Sequence, residues 1–492
     1  GRSAAAAVGR QGRAAVSLTR EINRLLVGML IVFGLVALAA AYWGTIGPDT
    51  LLRREDNPRL VIAEAAIRRG LILDRTGSML ATNVMEANDQ VTRYYPHPET
   101  SSVTGYSSLR YGVGGAEAAY NDFLRGDNLS LDVLARLSRD LLHHPQIGSD
   151  IQLTLDLNIQ QAILRAMGDQ SGAVVVLAVP SGEVLGLISL PSFDPNTLDE
   201  NWEQLATSTQ KPFFNRALQS TYQPGGILQT PLMAAALLAN EPLTEPLAHA
   251  TDPITVDAVV LNCAFRLSGV ELSLRDAYAF ACPSAFSEVA QNIGSQALQQ
   301  ALAVFHFNAP PVLEGFAAPA RSADQGALSI DISDDNLVQS ALGQGNLTVT
   351  PLQIAVMSAA IINDGNAPHP TTLLATRDAC SELWTSAPAS PSTIPFTTEK
   401  TARQLQDLMR NAVANGAALN AARPGIDIGG HATLAYSGDE TQAWFTGFVT
   451  IPGKRGIALA VVLENSDDPG RAADIGGSIL EAAHDALMTV GS

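Results

Sequence analysis

The sequence predicts an α+β chain carried on one membrane-spanning helix: a five-stranded antiparallel sheet flanked by helices, with a helical subdomain and a small mixed domain next to the membrane. Three observations predict it. An uncharged apolar run of nineteen residues lies near the N-terminus, strand-like apolar runs form an early and a late cluster, and the alanine-rich stretch between them is apolar around the helical circumference.

From Leu25 to Trp43 the chain reads LLVGMLIVFGLVALAAAYW, which as a helix is roughly 28 Å long, enough to cross a bilayer. Arg2, Arg10, Arg13, Arg20 and Arg24 precede it against one acid, Glu21. That asymmetry puts residues 1–24 in the cytoplasm and everything after 43 outside. No small-residue cleavage site follows Tyr42-Trp43 closely, so the segment reads as a retained anchor rather than a cleaved signal. Both aromatics suit the outer interface.

Of 492 residues, 30 are Lys or Arg and 48 are Asp or Glu, a net charge of −18. That excludes a nucleic-acid binder, which needs a basic face to displace counterions. With 46% hydrophobic and 16% charged residues the chain is not disordered, and its length calls for more than one domain. Only Lys211, Lys400 and Lys454 are lysines, which limits the machinery the chain can build. The His residues have no paired-ligand spacing, and His143-His144 before a proline reads as a polar loop, so neither metal nor cofactor is expected. Cys263 and Cys282 are close enough to close a short loop, leaving Cys380 over; three buried thiols is the alternative.

Residues 44–150 form the membrane-proximal domain, where Arg93 to Gly112 is rich in turn residues and aromatics and predicts strands and loops. The second domain spans 151–492. At its entrance DIQLTLDLNIQQAILRAM (150–167) predicts a strand, then an amphipathic helix capped by Asp156. GAVVVLAV (172–179) and GEVLGLISL (182–190) form a hairpin about Pro180-Ser181-Gly182. Three late strands follow at 431–439, 442–451 and 456–465, then a closing helix at 476–490. ILQTPLMAAALLAN (227–240) and TPLQIAVMSAAIINDG (350–365) predict buried helices.

Taken in order, NPR (57–59), RRGLILDRTGSMLATN (68–83), GAEAAYNDFLRG (115–126), TLDLNIQQA (154–162), PSGEVLGLISLPSFDPN (180–196), NRALQSTYQPG (215–225), GQGNLTVTPLQIA (343–355) and AWFTGFV (443–449) resemble class B penicillin-binding proteins. These are membrane-anchored transpeptidases that cross-link peptidoglycan. The resemblance covers nearly the whole chain and implies a penicillin-binding transpeptidase fold on a class B pedestal. It also implies a membrane setting, contact with peptidoglycan, and a polytopic partner, a glycan polymerase of the shape, elongation, division and sporulation family. Other envelope subunits are the alternative partners.

The family's reaction is acyl transfer through a serine in Ser-x-x-Lys, whose lysine takes the serine's proton. Ser-x-Asn relays protons, and Lys-Thr-Gly on an edge strand holds the substrate carboxylate. By resemblance the first motif falls on Gly226 and Gln229, the second on Ala281-Cys282-Pro283, and the third on Gly430-His431-Ala432, just before Thr433. Glycine has no nucleophilic atom and glutamine is no base near neutral pH. Glycine at 226 and 430 also predicts a roomier cleft. Ser208-Thr209-Gln210-Lys211 is a literal Ser-x-x-Lys, but lies upstream of the active-site helix; Lys400 starts a helix and Lys454 sits in a turn. His431 reads as a polar residue on an edge strand.

The resulting expectation is a catalytically inactive homologue, a pseudoenzyme with no catalytic residue, serving as scaffold or regulator of an extracytoplasmic cell-wall synthesis complex. The alternatives are an active D,D-transpeptidase with a displaced nucleophile, a peptidoglycan-binding module, and a structural subunit of another membrane complex.

Overall fold

The computed structural model describes residues 22–40, 42, 64–65, 67–85, 91–127, 146–256, 258–265, 267, 270–319, 330–379, 381–388, 393–438, 440–453 and 456–489. Arg2, Arg10, Arg13, Arg20, Glu21, Trp43, residues 57–59, His143-His144, Cys380 and Lys454 lie outside them. The chain divides into residues 1–66 and 67–492. In the first unit, Ile22–Ala40 is helical, fully exposed, and long and apolar enough to cross a membrane. It begins three residues before the uncharged run, because Ile22 and Asn23 continue the turn below it.

The larger part of the second unit is built on a five-stranded sheet. Helix α1 (Leu157–Met167) starts at Asp156, whose carboxylate accepts from the N–H groups of Asn158 and Ile159. Strands β1 (Gly172–Val179) and β2 (Val184–Leu190) form the early hairpin. Then come α2 (Gln229–Ala239), α3 (Leu274–Ala279), α4 (Pro283–Val304, broken at Gly294), α5 (Pro351–Ile362) and α6 (Glu399–Asn415). Strands β3 (Ile428–Ser437), β4 (Glu440–Thr450) and β5 (Gly456–Glu464) return before the closing helix α7 (Pro469–Thr489). The sheet order is β3-β4-β5-β1-β2, antiparallel throughout.

These strands read as continuous apolar runs because both faces of the sheet are covered. Successive side chains point to opposite faces. Val175, Leu177, Trp444 and Phe448 join one core with α5, and Val174, Val176, Phe445 and Val461 join another with α1 and α7. Every residue of α5 is buried, and Thr350 caps it by accepting from the Gln353 N–H. A hydrogen bond of 2.9 Å between Ser358 Oγ and Thr446 Oγ1 pins that helix to β4.

A six-stranded sheet runs Thr385–Ser386, Leu373–Arg377, Asp150–Leu153, Ile72–Leu73, Met79–Met85, Val91–Tyr94. Its strands come from both sides of residue 150. Beside it Glu117 is fully buried between Arg69 (Nε to Oε2, 2.9 Å) and Arg93 (Nε to Oε1, 2.6 Å). Burial works to raise its pKa, but the two guanidinium groups outweigh burial and hold it below the usual carboxylate value. The Tyr95 N–H donates to Asn196 Oδ1 at 2.9 Å, tying this region to the segment after β2.

Candidate active site

The first two predicted motif segments line one cleft, and the residue that follows the third, Thr433, lines it with them. Gly225–Leu228 is a 3-10 turn leading into α2. Gly225 adopts φ 50°, and a β-carbon there would lie 2.5 Å from Ala435 Cα, so only glycine lets this turn abut β3. Tyr222 anchors the segment: its hydroxyl donates to Glu464 Oε1 at 2.9 Å, while Arg216 Nε donates to Oε2 at 2.9 Å.

Ala281, at φ 52°, and Pro283 lie at the junction of α3 and α4. Between them Cys282 is bonded to Cys263, S–S 2.06 Å. Both flanks of that bridge meet the cleft, since Asn262, Ala264, Ala281 and Pro283 all line it. Gly430, His431 and Ala432 lie on the edge strand β3, opposite Gly447, Thr446 and Phe445 of β4.

The cleft holds a cavity of about 20 Å³, with Gly226, Gln229, Thr433 and Tyr436 on its walls. It is not roomier for its glycines. A β-carbon on Gly226 would lie 1.9 Å from Thr433 Oγ1, and one on Gly430 would lie 2.4 Å from the Phe445 ring. Neighbouring side chains have filled both spaces, as close packing requires.

His431 does lie on the edge strand, but its side chain faces the interior. It is completely buried, stacked on Tyr278 with ring centroids 4.3 Å apart and planes 9° from parallel. Burial lowers its pKa to about 4, the Gly226 backbone working weakly the other way. Neither ring nitrogen has a hydrogen bond of good geometry among the described residues, so the imidazole is neutral at pH 7. Gln229 is likewise buried, and its Oε1 is unpartnered among the described residues.

Ser208 follows the helix Leu198–Thr207, its Oγ accepting from the Gln210 N–H at 3.3 Å, and it does not line the cleft. Lys211 is exposed, and Lys400 lies in the first turn of α6. Sequence reasoning missed Thr433, Tyr278 and Asn262. Thr433 directly follows the third motif and Asn262 directly precedes a cysteine, but only the fold turns them toward the cleft. Among the described residues there is no cluster of three or more His, Cys, Asp or Glu that could hold a metal.

A helix start facing an edge strand across a narrow cleft, on a five-stranded sheet covered on both faces, is the architecture of the penicillin-interacting transpeptidase fold. The chain belongs to the penicillin-binding protein transpeptidase family: the penicillin binding protein transpeptidase domain matches residues 172–488, and the penicillin binding protein A dimerisation domain matches 69–151. The peptidoglycan D,D-transpeptidase PbpA of Mycobacterium tuberculosis is 29% identical, over 95% of this chain and 99% of that protein. The penicillin G acyl-enzyme structure of penicillin-binding protein A from M. tuberculosis superposes with a TM-score of 0.72 at 27% identity, covering 85% of this chain and 99% of that one. The D,D-transpeptidase domain of a peptidoglycan glycosyltransferase from Eggerthella lenta gives 0.74 at 25% identity, covering 86% and 99%.

These relatives correct the expectation of an inactive scaffold. Over nearly its whole length the chain is similar to proteins named as peptidoglycan D,D-transpeptidases, which points to an enzyme rather than a pseudoenzyme.

Proposed function

We propose that the chain is a peptidoglycan D,D-transpeptidase whose nucleophile stands off position 226. The observation that carries this reading is the end-to-end similarity to the PbpA transpeptidase. In this reading Gly226 and Gln229, Ala281 and Pro283, and Gly430, His431 and Ala432 occupy the family's three motif positions. A hydroxyl must then come from elsewhere in the cleft. Thr433 supports this, because its Oγ1 fills the space a side chain at 226 would take. Its oxygen would add to the donor stem-peptide carbonyl and the amide bond would break, the leaving amine taking the hydroxyl proton. The acceptor amine would then displace the ester and return a proton to Thr433. Neutral His431, two residues away on the same strand face, is a weak base for that transfer.

Labelling with a fluorescent penicillin, blocked by excess unlabelled drug, tests the reading; full-length protein is expected to label and Thr433→Val is not. Absence of blockable labelling in the parent protein overturns it. We further propose that residues 1–24 are cytoplasmic, that the domains after the anchor lie outside the cell membrane, and that a polytopic glycan polymerase is the partner. Purification in mild detergent with mass spectrometry tests the partner, and recovery of no polytopic protein counts against it.

A further inference from the structure

A second cavity, of about 210 Å³, opens away from the cleft, where the segment Ser101–Gly115 meets the segments that follow β2. It is far larger than a single water requires. In a chain of net charge −18, no charged side chain among the described residues lines it. Four half-buried aromatic rings do, Tyr106, Phe193, Phe213 and Phe316: Tyr106 lies 5.9 Å from Phe193 and 6.1 Å from Phe213, and the phenylalanines 193 and 213 meet edge to face at 4.9 Å. Polar groups stand opposite. Asn215 Nδ2 donates to the Ser102 carbonyl at 2.8 Å and its N–H donates to Gln219 Oε1 at 2.9 Å, which holds the two walls together. Ser101, only 3% exposed, is one of the lining residues, and its buried hydroxyl has no hydrogen-bond partner among the described residues.

A charged ligand would find no counter-charge here. A purely apolar one would leave the Ser101 hydroxyl unpaired, a cost that selects against it. What fits is an uncharged molecule with apolar faces for the rings and hydroxyl or amide groups for the polar wall. We propose that this cavity is a subsite for a neutral N-acetylated amino sugar of a glycan strand. The proposal rests on the peptidoglycan reading above and extends it to the region outside the acyl-transfer cleft.

The test is titration of the full-length protein in detergent with triacetylchitotriose, read by calorimetry and saturation-transfer NMR, with maltotriose as the neutral sugar lacking acetamido groups. Saturable chitotriose binding is expected, weakened about tenfold by Phe213→Ala and severalfold by Ser101→Ala, a change small enough to leave the fold intact. Failure of chitotriose to saturate, equal binding of maltotriose, or unaltered binding by both variants overturns the proposal. Penicillin labelling reads the cleft separately: labelling without chitotriose binding defeats only the subsite, and chitotriose binding without labelling defeats only the acyl-transfer reading.

Discussion

Thr433 Oγ1 lies 1.9 Å from where a β-carbon on Gly226 would be. A hydroxyl from the edge strand therefore occupies the space that the helix-start residue leaves open. Gly226→Ala is expected to cost about 1–3 kcal/mol, because Thr433 must rotate and its Cβ stays only 3.0 Å away. Adding Thr433→Ala removes the nearer clash, so the double variant should be more stable than the sum of the single losses. Additive effects in a double-mutant cycle of denaturation midpoints would contradict the contact.

His431 makes stability depend on pH. Its folded pKa, about 4, lies below the ordinary value near 6.5, so the unfolded chain binds the extra proton between them. The contribution is fully present above pH 6.5 and lost as pH falls through 4, on the order of 3 kcal/mol in all. Replacement by phenylalanine, which keeps the stack on Tyr278, should flatten the fall in Tm between pH 7 and 4.5. Parallel curves for the two proteins would refute this assignment.

Glu117 is a second acid-sensitive point. Glu117→Ala strands Arg69 and Arg93 in a buried site and should cost about 3–5 kcal/mol. Removing the exposed Glu399–Arg403 pair on α6 should shift the same unfolding curve by less than 1 kcal/mol. Comparable losses at the two places would show that burial does not set the difference.

The Cys263–Cys282 bridge joins positions 19 apart in sequence, so opening it should cost about 3 kcal/mol through the entropy of the unfolded loop. Cys263→Ala with Cys282→Ala should also loosen the wall carried by Asn262 and Pro283. Native-state hydrogen exchange at 261–264 and 281–284 reads that directly. Unchanged protection would mean that packing alone holds the wall.

Residue order alone specifies several of the elements. The alternation of Val174, Val175, Val176 and Leu177 between two cores is invisible in the sequence as alternation, because both faces are apolar. The run still reads as a strand from its length and its β-branched residues. Asp156, a local cap, was fully legible. The site was half legible: motif order led to Gly226, Gln229, Ala281, Pro283 and the 430–432 triplet, but the burial of His431 against Tyr278 and the entry of Thr433 were not. Those contacts join residues 153 and 207 positions apart in the chain, so no local spacing carries them.

By itself the sequence determined the apolar helix, the strand runs, the buried helices α2 and α5 and the family motifs, because each depends on neighbours within a few residues. Only the tertiary structure decided that the glycines at 226 and 430 leave no extra room, that His431 is neutral, and that an uncharged aromatic cavity forms away from the cleft. Space in a close-packed protein is defined by whatever side chain arrives from elsewhere. At Gly226 the group that arrives is the Thr433 hydroxyl.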